Sequence, residues 1–200
     1  MNQSRRIWLA LWLIPAAGVL IFHFAAAQPY RRMDTIGAHM RSARQLALDE
    51  KYGPAVLEYD KALEELPKDE DTLRRELQLE RAQAKMNASR LPEAHGELKK
   101  LLDELLAESD ASQDLENRVR ESLANSQYYM TWLMRLEGLS RDEWEPEIES
   151  ARQNFKLLAE RAEESSDQSE LKSQLENLES SIRLARLDLA DLQGLPLPSQ

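Results

Sequence analysis

The residues best suited to chemistry are three histidines and 36 acidic side chains, but their spacing does not bring them together. His23 lies in an apolar N-terminal stretch, and neither His39 nor His95 has a second histidine three to five residues away, as helical metal ligands would need. The chain has no cysteine, no phosphate-binding glycine loop and no nucleophile motif. We therefore predict a protein that is not an enzyme, with no catalytic residues, no metal site and no cofactor.

The charge distribution argues against a nucleic-acid partner. The chain of 200 residues has a formal net charge of -10, and Arg5 and Arg6 are the only Asp, Glu, Lys or Arg residues before position 28. Residues 28–200 consequently carry 24 basic and 36 acidic side chains, and this acidic surface repels phosphate backbones. With 31% charged residues and only six glycines, the composition is typical of an all-α protein.

Residues 1–27 form a candidate membrane segment. After the short basic start, residues 7–27 contain no Asp, Glu, Lys or Arg, and as a helix they would be about 31 Å long, close to the thickness of a bilayer core. Ala25, Ala26 and Ala27 also match a signal-peptidase site, so the segment is predicted to be either a transmembrane anchor or a cleaved signal peptide. Either alternative predicts a cell-envelope protein: membrane-anchored with an exported C-terminal domain, or secreted or periplasmic after cleavage.

The remainder of the chain reads as a linker followed by helices. Residues 28–34 are predicted to be a linker, residues 35–164 to form helical hairpins, residues 165–193 to contain a long C-terminal helix and residues 194–200 to be a tail. Apolar residues recur at spacings of three and four, with proline and glycine between the helices. The predicted helices span 35–51, 54–66, 71–88, 92–108, 112–137, 144–164 and 168–193.

Three of these helices carry proline in the first turn, then a small residue followed four and seven positions later by packing residues. Proline opens a helix without losing a needed N–H, and the small residue allows close approach of a neighbouring helix. The three sets are Pro54 with Ala55, Tyr59 and Ala62; Pro92 with Ala94, Leu98 and Leu101; and Pro146 with Ala151, Phe155 and Leu158.

On these residues the chain resembles the tetratricopeptide repeat (TPR) family, whose unit is a helical hairpin. The best match spans residues 36–69, with His39 and Ser42 departing from the tryptophan and leucine that the family prefers. Residues 75–108 match less closely, and 112–164 keep only the second-helix spacing. The resemblance implies an α-solenoid of stacked hairpins with a concave groove lined mainly by the first helices. The matching residues of the first unit are Ala43, Leu46, Ala55, Tyr59, Ala62 and Pro67, and those of the second are Ala82, Ala94, Leu98 and Leu101.

The last predicted helix has two alternative roles. Its apolar residues alternate spacings of four and three, as in a coiled coil, which predicts pairing of two chains through residues 168–193. Leu184 and Leu187 widen the stripe in its second half, which favours a cap on the preceding hairpin.

The resemblance also implies which side chains face a partner. Met40 and Arg44 of the first unit, with Leu79 and Gln83 of the second, are expected to line the groove. Tyr128 and Trp132 are expected to lie beside the buried stripe of their helix, partly exposed, where aromatic residues often anchor a partner. For Trp132, packing in the core is the favoured alternative.

These expectations combine into two alternative functions. The first is a scaffold for protein–protein interaction that binds a peptide or protein in a TPR-like groove. The alternative is a structural coiled-coil oligomer or envelope spacer that has no ligand in the groove.

Overall fold

The protein folds as a series of α-helices joined by short turns. The structure is a computed structural model that describes residues 27–108, 112–188 and 191–192. Within these residues it contains helices and no strand. The helices are α1 (Ala27–Leu48), α2 (Tyr52–Glu65), α3 (Asp71–Asn87), α4 (Leu91–Leu106), α5 (Gln113–Leu136), α6 (Arg141–Glu164) and α7 (Gln168–Arg186).

The predicted all-α class is therefore confirmed, and the boundaries of α2 to α6 agree with the prediction to within three residues. The predicted linker, residues 28–34, is wrong, because α1 begins at Ala27. Pro29 lies in the first turn of α1, where the missing N–H costs no hydrogen bond. The last helix ends at Arg186 instead of residue 193.

The membrane prediction lies almost wholly outside the described residues, since these begin at Ala27. Among the helices that the structure describes, none combines the length and the apolar character needed to cross a bilayer. The predicted tail, residues 194–200, also lies outside the described part of the chain.

Four of the connections between helices use the same tight turn. In each, one residue adopts a positive φ, and the N–H of the next residue donates to the carbonyl five positions back, at 2.8 to 3.0 Å. This is the Schellman arrangement, which satisfies carbonyls left free at a helix C-terminus. It links α1 to α2, α3 to α4, α5 to α6, and α6 to α7. The residues with positive φ are Glu50, Ser89, Gly138 and Ser166.

The sequence predicted the cap at the start of α6 but not the position of the proline in this helix. Ser140 and Glu143 have capping-box spacing, and the Glu143 Oε2 accepts from the backbone N–H of Ser140 at 2.8 Å. The sequence pattern placed Pro146 in the first turn of its helix. Because α6 begins at Arg141, Pro146 instead lies inside the helix. It therefore cannot donate the backbone hydrogen bond to Asp142 that another residue would make.

The core consists of three clusters of buried side chains arranged along the chain. Each helix packs on the next, and α3 also contacts α5. The first cluster joins α1, α2 and α3, the second joins α3, α4 and α5, and the third joins α5, α6 and α7. Ala55 and Ala94 are both completely buried, so they lie in the helix contacts where a small side chain permits close approach.

The buried face of α5 is more polar than predicted. On this helix Leu133 is 42% exposed, whereas the polar residue Thr131 is completely buried. A ladder of hydrogen bonds across α5 and α6 explains how polar groups are accommodated there: Gln127 Nε2 donates to Ser150 Oγ at 2.9 Å, and Asn154 Nδ2 donates to Gln127 Oε1 at 3.1 Å. The register of this hairpin therefore depends on polar contacts as well as on apolar packing.

The last helix packs on the same chain. Leu184 of this helix is buried in the third cluster. The guanidinium of Arg135 on α5 donates to the backbone carbonyls of Leu184 and Leu187. The Arg135 guanidinium also lies over the Trp144 ring, 4.8 Å from its centroid. A cation at the C-terminus of α7 is favourable for the helix dipole. These contacts are those expected of a cap, although Leu175 remains 49% exposed.

Candidate functional site

A groove lies between α1 and α3, with two tyrosines of α2 contributing to its wall. Its volume is about 480 Å³. The apolar part is formed by Ala47, Leu48 and Ala84, and the Leu48 side chain is 79% exposed. The lining residues are Arg44, Ala47, Leu48, Tyr52, Tyr59, Glu80, Gln83, Ala84 and Asn87.

Arg44 and Glu80 form a bidentate ion pair across this groove. Arg44 Nε donates to Glu80 Oε2 at 2.9 Å, and Arg44 Nη2 donates to Glu80 Oε1 at 2.6 Å. The Tyr59 hydroxyl donates to the same Glu80 Oε2 at 2.9 Å. The hydrogen bond to Glu80 raises the pKa of Arg44, and burial raises the pKa of the Tyr59 hydroxyl. Because the charge of Arg44 is already balanced, the groove is not built to capture a free anion.

Gln83 connects the groove to the next hairpin. Its Nε2 donates to the Oγ of Ser122 on α5 at 2.9 Å. This bond fixes α3 against α5 at the place where these two alternate helices meet. The amides of Gln83 and Asn87 line the groove beside the apolar surface of Ala47, Leu48 and Ala84.

The structure brings together two of the side chains predicted to face a partner and separates the others. Arg44 and Gln83 line the same groove. Met40 does not line it, and packs half-buried against the first core cluster. Leu79 was expected in the groove, and this is wrong: its side chain is completely buried in the second cluster, because it faces α4 and α5.

The two aromatic candidates lie in the third hairpin, away from the groove lining. Tyr128 is half-buried, with its ring edge-on to Tyr129 at 5.6 Å between centroids. Trp132 is only 5% exposed, because the buried face of α5 turns toward α6 and α7, which agrees with the core alternative. Trp132 is therefore a core residue in this structure.

Sequence reasoning missed Leu48 and Tyr52. Leu48 is four residues after Arg44 on α1, so the two lie on one helix face, and this spacing was the available signal. Tyr52 follows the turn at Glu50, whose positive φ directs the chain back toward the groove. Nothing in the sequence identifies that turn as one of the repeated type.

The two described histidines have separate polar partners. His39 Nδ1 lies 2.6 Å from Glu58 Oε2 in the first hairpin. His95 Nδ1 lies 3.2 Å from Ser126 Oγ, its Nε2 lies 3.7 Å from Glu147, and burial lowers the pKa of its ring.

The serine, histidine and carboxylate at His95 have the composition of a nucleophilic triad but not its geometry. Ser126 is completely buried and donates its own proton to the carbonyl of Leu123 at 2.7 Å. A substrate could not reach this hydroxyl, and its hydrogen bond is already committed. We assign Ser126, His95 and Glu147 to the contact between α4, α5 and α6. Among the described residues, no group of three or more His, Cys, Asp or Glu side chains could hold a metal ion.

No protein-family model matches the chain, and no curated protein matches it significantly. The groove between α1 and α3 is thus the candidate site on its lining and shape alone.

Proposed function

We propose that the protein is a non-enzymatic interaction module that holds an extended segment of a partner protein in the groove between α1 and α3. The observation that carries this proposal is the groove itself, where exposed Leu48 and the paired Arg44–Glu80 face a cavity of about 480 Å³. An apolar side chain of the partner would cover Leu48, Ala47 and Ala84. The amides of Gln83 and Asn87 would bond its backbone.

The arrangement of the helices supports a TPR-like stack as the framework of this module. Consecutive helices pack in hairpins, and α3 also contacts α5, which would be the first helices of neighbouring units. The repeated turn after α1, α3 and α5 gives each unit the same connection. In such a stack each hairpin buries its apolar face against the next, and the first helices line one face.

A site-specific crosslinking experiment tests the groove. The full-length protein would carry a photoreactive phenylalanine analogue at Leu48 in one variant and at Leu57 in the control. Leu57 is also an exposed leucine, 60% exposed, but it is not among the residues that line the groove. We expect a discrete adduct from position 48 and none from position 57.

The captured segment would then be tested for binding as a synthetic peptide. Leu48→Asp should weaken binding at least tenfold without changing the melting temperature, whereas Leu57→Asp should leave binding unchanged. Equal crosslinking from both positions, or a peptide whose affinity is indifferent to Leu48→Asp, would refute the groove as the binding site.

We also propose that residues 7–27 attach this module to the cell envelope or direct its export. The apolar length of that segment supports the proposal. N-terminal sequencing of protein recovered from membrane and soluble fractions tests it. An intact Met1 in membranes means an anchor, a chain beginning at Gln28 means cleavage, and an intact chain confined to the soluble fraction refutes both.

A further inference from the structure

The apolar stripe of α7 does not coincide with the face that this helix buries. The buried side chains of α7 are Gln174, Ser181 and Leu184, of which two are polar. Leu175 and Ile182 directly follow the two polar residues in sequence, so they lie about 100° further round the helix axis. Leu175 is 49% exposed and Ile182 is half-buried. The helix therefore turns part of its apolar stripe away from its own chain.

This stripe has the spacing of a coiled-coil seam. Within α7 the seam consists of Leu171, Leu175, Leu178, Ile182 and Ala185, at alternating intervals of four and three residues. Leu178 and Ala185 pack against the third cluster, whereas Leu171, Leu175 and Ile182 belong to none of the clusters that the described residues form. Among the described helices, α7 packs mainly on α6, and no helix follows it. In this part of the chain, one side of the seam is consequently not covered by another helix.

The residue types in the seam favour pairing with an identical helix. In heptad notation, Leu175 and Ile182 occupy position a, and Leu171, Leu178 and Ala185 occupy position d. A β-branched residue at a with leucine at d is the combination that favours two parallel strands, and Ile182 with Leu178 provides it. In a parallel pair each seam residue meets its own copy. Since the seam contains only apolar residues, this self-pairing buries no polar or charged side chain in the contact.

The charges beside the seam favour a parallel pair over an antiparallel one. Lys172, Glu179 and Arg186 recur at intervals of seven residues along one edge of the seam, at position e. An antiparallel pair aligned over the whole seam would place Glu179 beside its own copy and Lys172 beside Arg186, and like charges repel. In a parallel pair position e faces position g of the other helix. There Lys172 meets the oppositely charged Asp167, and the other g positions in α7 are uncharged.

We propose that α7 pairs in parallel with α7 of a second copy of this chain through Leu171, Leu175 and Ile182, while Gln174 and Ser181 stay against the helix's own chain. The two roles predicted for this helix, a cap and a coiled coil, then use different faces. With 19 residues, α7 is about 28 Å long and has fewer than three heptads, so we expect a reversible dimer. No residue of α7 lines the groove between α1 and α3, so the inference does not rest on the proposed function.

Disulfide trapping tests the pair, because the chain has no cysteine of its own. The full-length protein in detergent would carry a single cysteine, from Leu175→Cys in one variant and from Ser173→Cys in the control. Ser173 is also an exposed residue of α7, but it lies on the side of the helix away from the seam. Mild oxidation should convert Leu175→Cys into a disulfide-linked dimer and leave Ser173→Cys monomeric. Both variants keep residues 1–27, so dimers caused by crowding in micelles would appear in both.

Light scattering over a range of concentrations measures the dimer without a crosslink. Leu175→Asp should raise the dissociation constant of the dimer about tenfold or more, because the carboxylate loses water in the contact, whereas Ser173→Asp should leave it unchanged. A thermal melt shows that each variant is folded, and trapping at position 175 keeps the test valid if Leu175→Asp is not.

Three outcomes overturn the inference: a protein that is monomeric at every concentration, a dimer indifferent to Leu175→Asp, or equal trapping at positions 173 and 175. A dimer that is sensitive to Leu175→Asp but is not trapped by Leu175→Cys overturns the parallel arrangement. An antiparallel pair aligned over the whole seam would hold the two copies of position 175 about 15 Å apart, too far for a disulfide.

Discussion

The docking of α7 can be tested through Arg135. Its guanidinium donates two hydrogen bonds, to the carbonyls of Leu184 and Leu187, and covers the Trp144 ring. Deleting a charged hydrogen-bond partner costs about 1.5–3 kcal/mol per bond, and a cation over an aromatic ring adds about 0.5–1 kcal/mol. Burial of the guanidinium opposes these gains, as the lowered pKa of Arg135 indicates. Arg135→Ala should therefore reduce the free energy of unfolding by about 2–4 kcal/mol.

Urea unfolding measures this loss, with Arg183→Ala as the matched control. Arg183 is also near the end of α7, but its exposed side chain pairs with exposed Glu179, so its removal should cost less than about 0.5 kcal/mol. Relative to the wild-type protein, Arg135→Ala should accelerate amide hydrogen exchange more in α7 than in α2. If the two arginine variants lose the same stability, or if exchange in α7 is unchanged, the idea that Arg135 holds α7 is refuted.

Three further predictions concern single residues. Glu50→Gly should raise the free energy of unfolding by up to about 1 kcal/mol, because glycine adopts the positive φ of this position without strain. The control Glu64→Gly, inside α2, should lower the free energy of unfolding by a similar amount. Thermal melts compare the two variants. Ala55→Leu should cost about 1–3 kcal/mol in urea unfolding, since the completely buried alanine leaves no room, and a neutral result would contradict close helix contact there. Glu121→Gln should raise the free energy of unfolding at pH 7, because burial raises the pKa of Glu121 and its ionised form therefore disfavours the fold. This gain in stability should shrink as the pH falls through the raised pKa of Glu121 toward the ordinary pKa of a glutamate. A gain that does not change with pH in urea unfolding would argue against a raised pKa of Glu121.

Local signals predicted most helices, and long-range contacts explain where the prediction failed. Proline and glycine marked the boundaries of α2 to α6, because these residues act on the backbone directly. The apolar stripe continued past Arg186, so the sequence predicted a longer α7. In the structure the carbonyls of Leu184 and Leu187 are bonded by Arg135, some fifty residues earlier, and no local pattern contains that contact.

The candidate groove was predictable only in part, for the same reason. Arg44 and Gln83 were expected in a groove from the resemblance to a repeat family, but the same resemblance also placed Met40 and Leu79 there, and neither lines it. The partner of Arg44 was not predicted, since Glu80 is one of many acidic residues on polar helix faces. In α5, Thr131 and Gln127 belong to residue types that are usually exposed, yet their hydrogen bonds allow burial.

The packing of each helix mainly on its neighbours in the chain has a kinetic consequence. Most contacts then close short loops, and a chain with such low contact order folds rapidly compared with a β-rich protein of equal stability. The energetic coupling between the two ends is correspondingly weak, as in a one-dimensional array. Local unfolding can thus begin at α1 or at α7 while the helices between them stay folded.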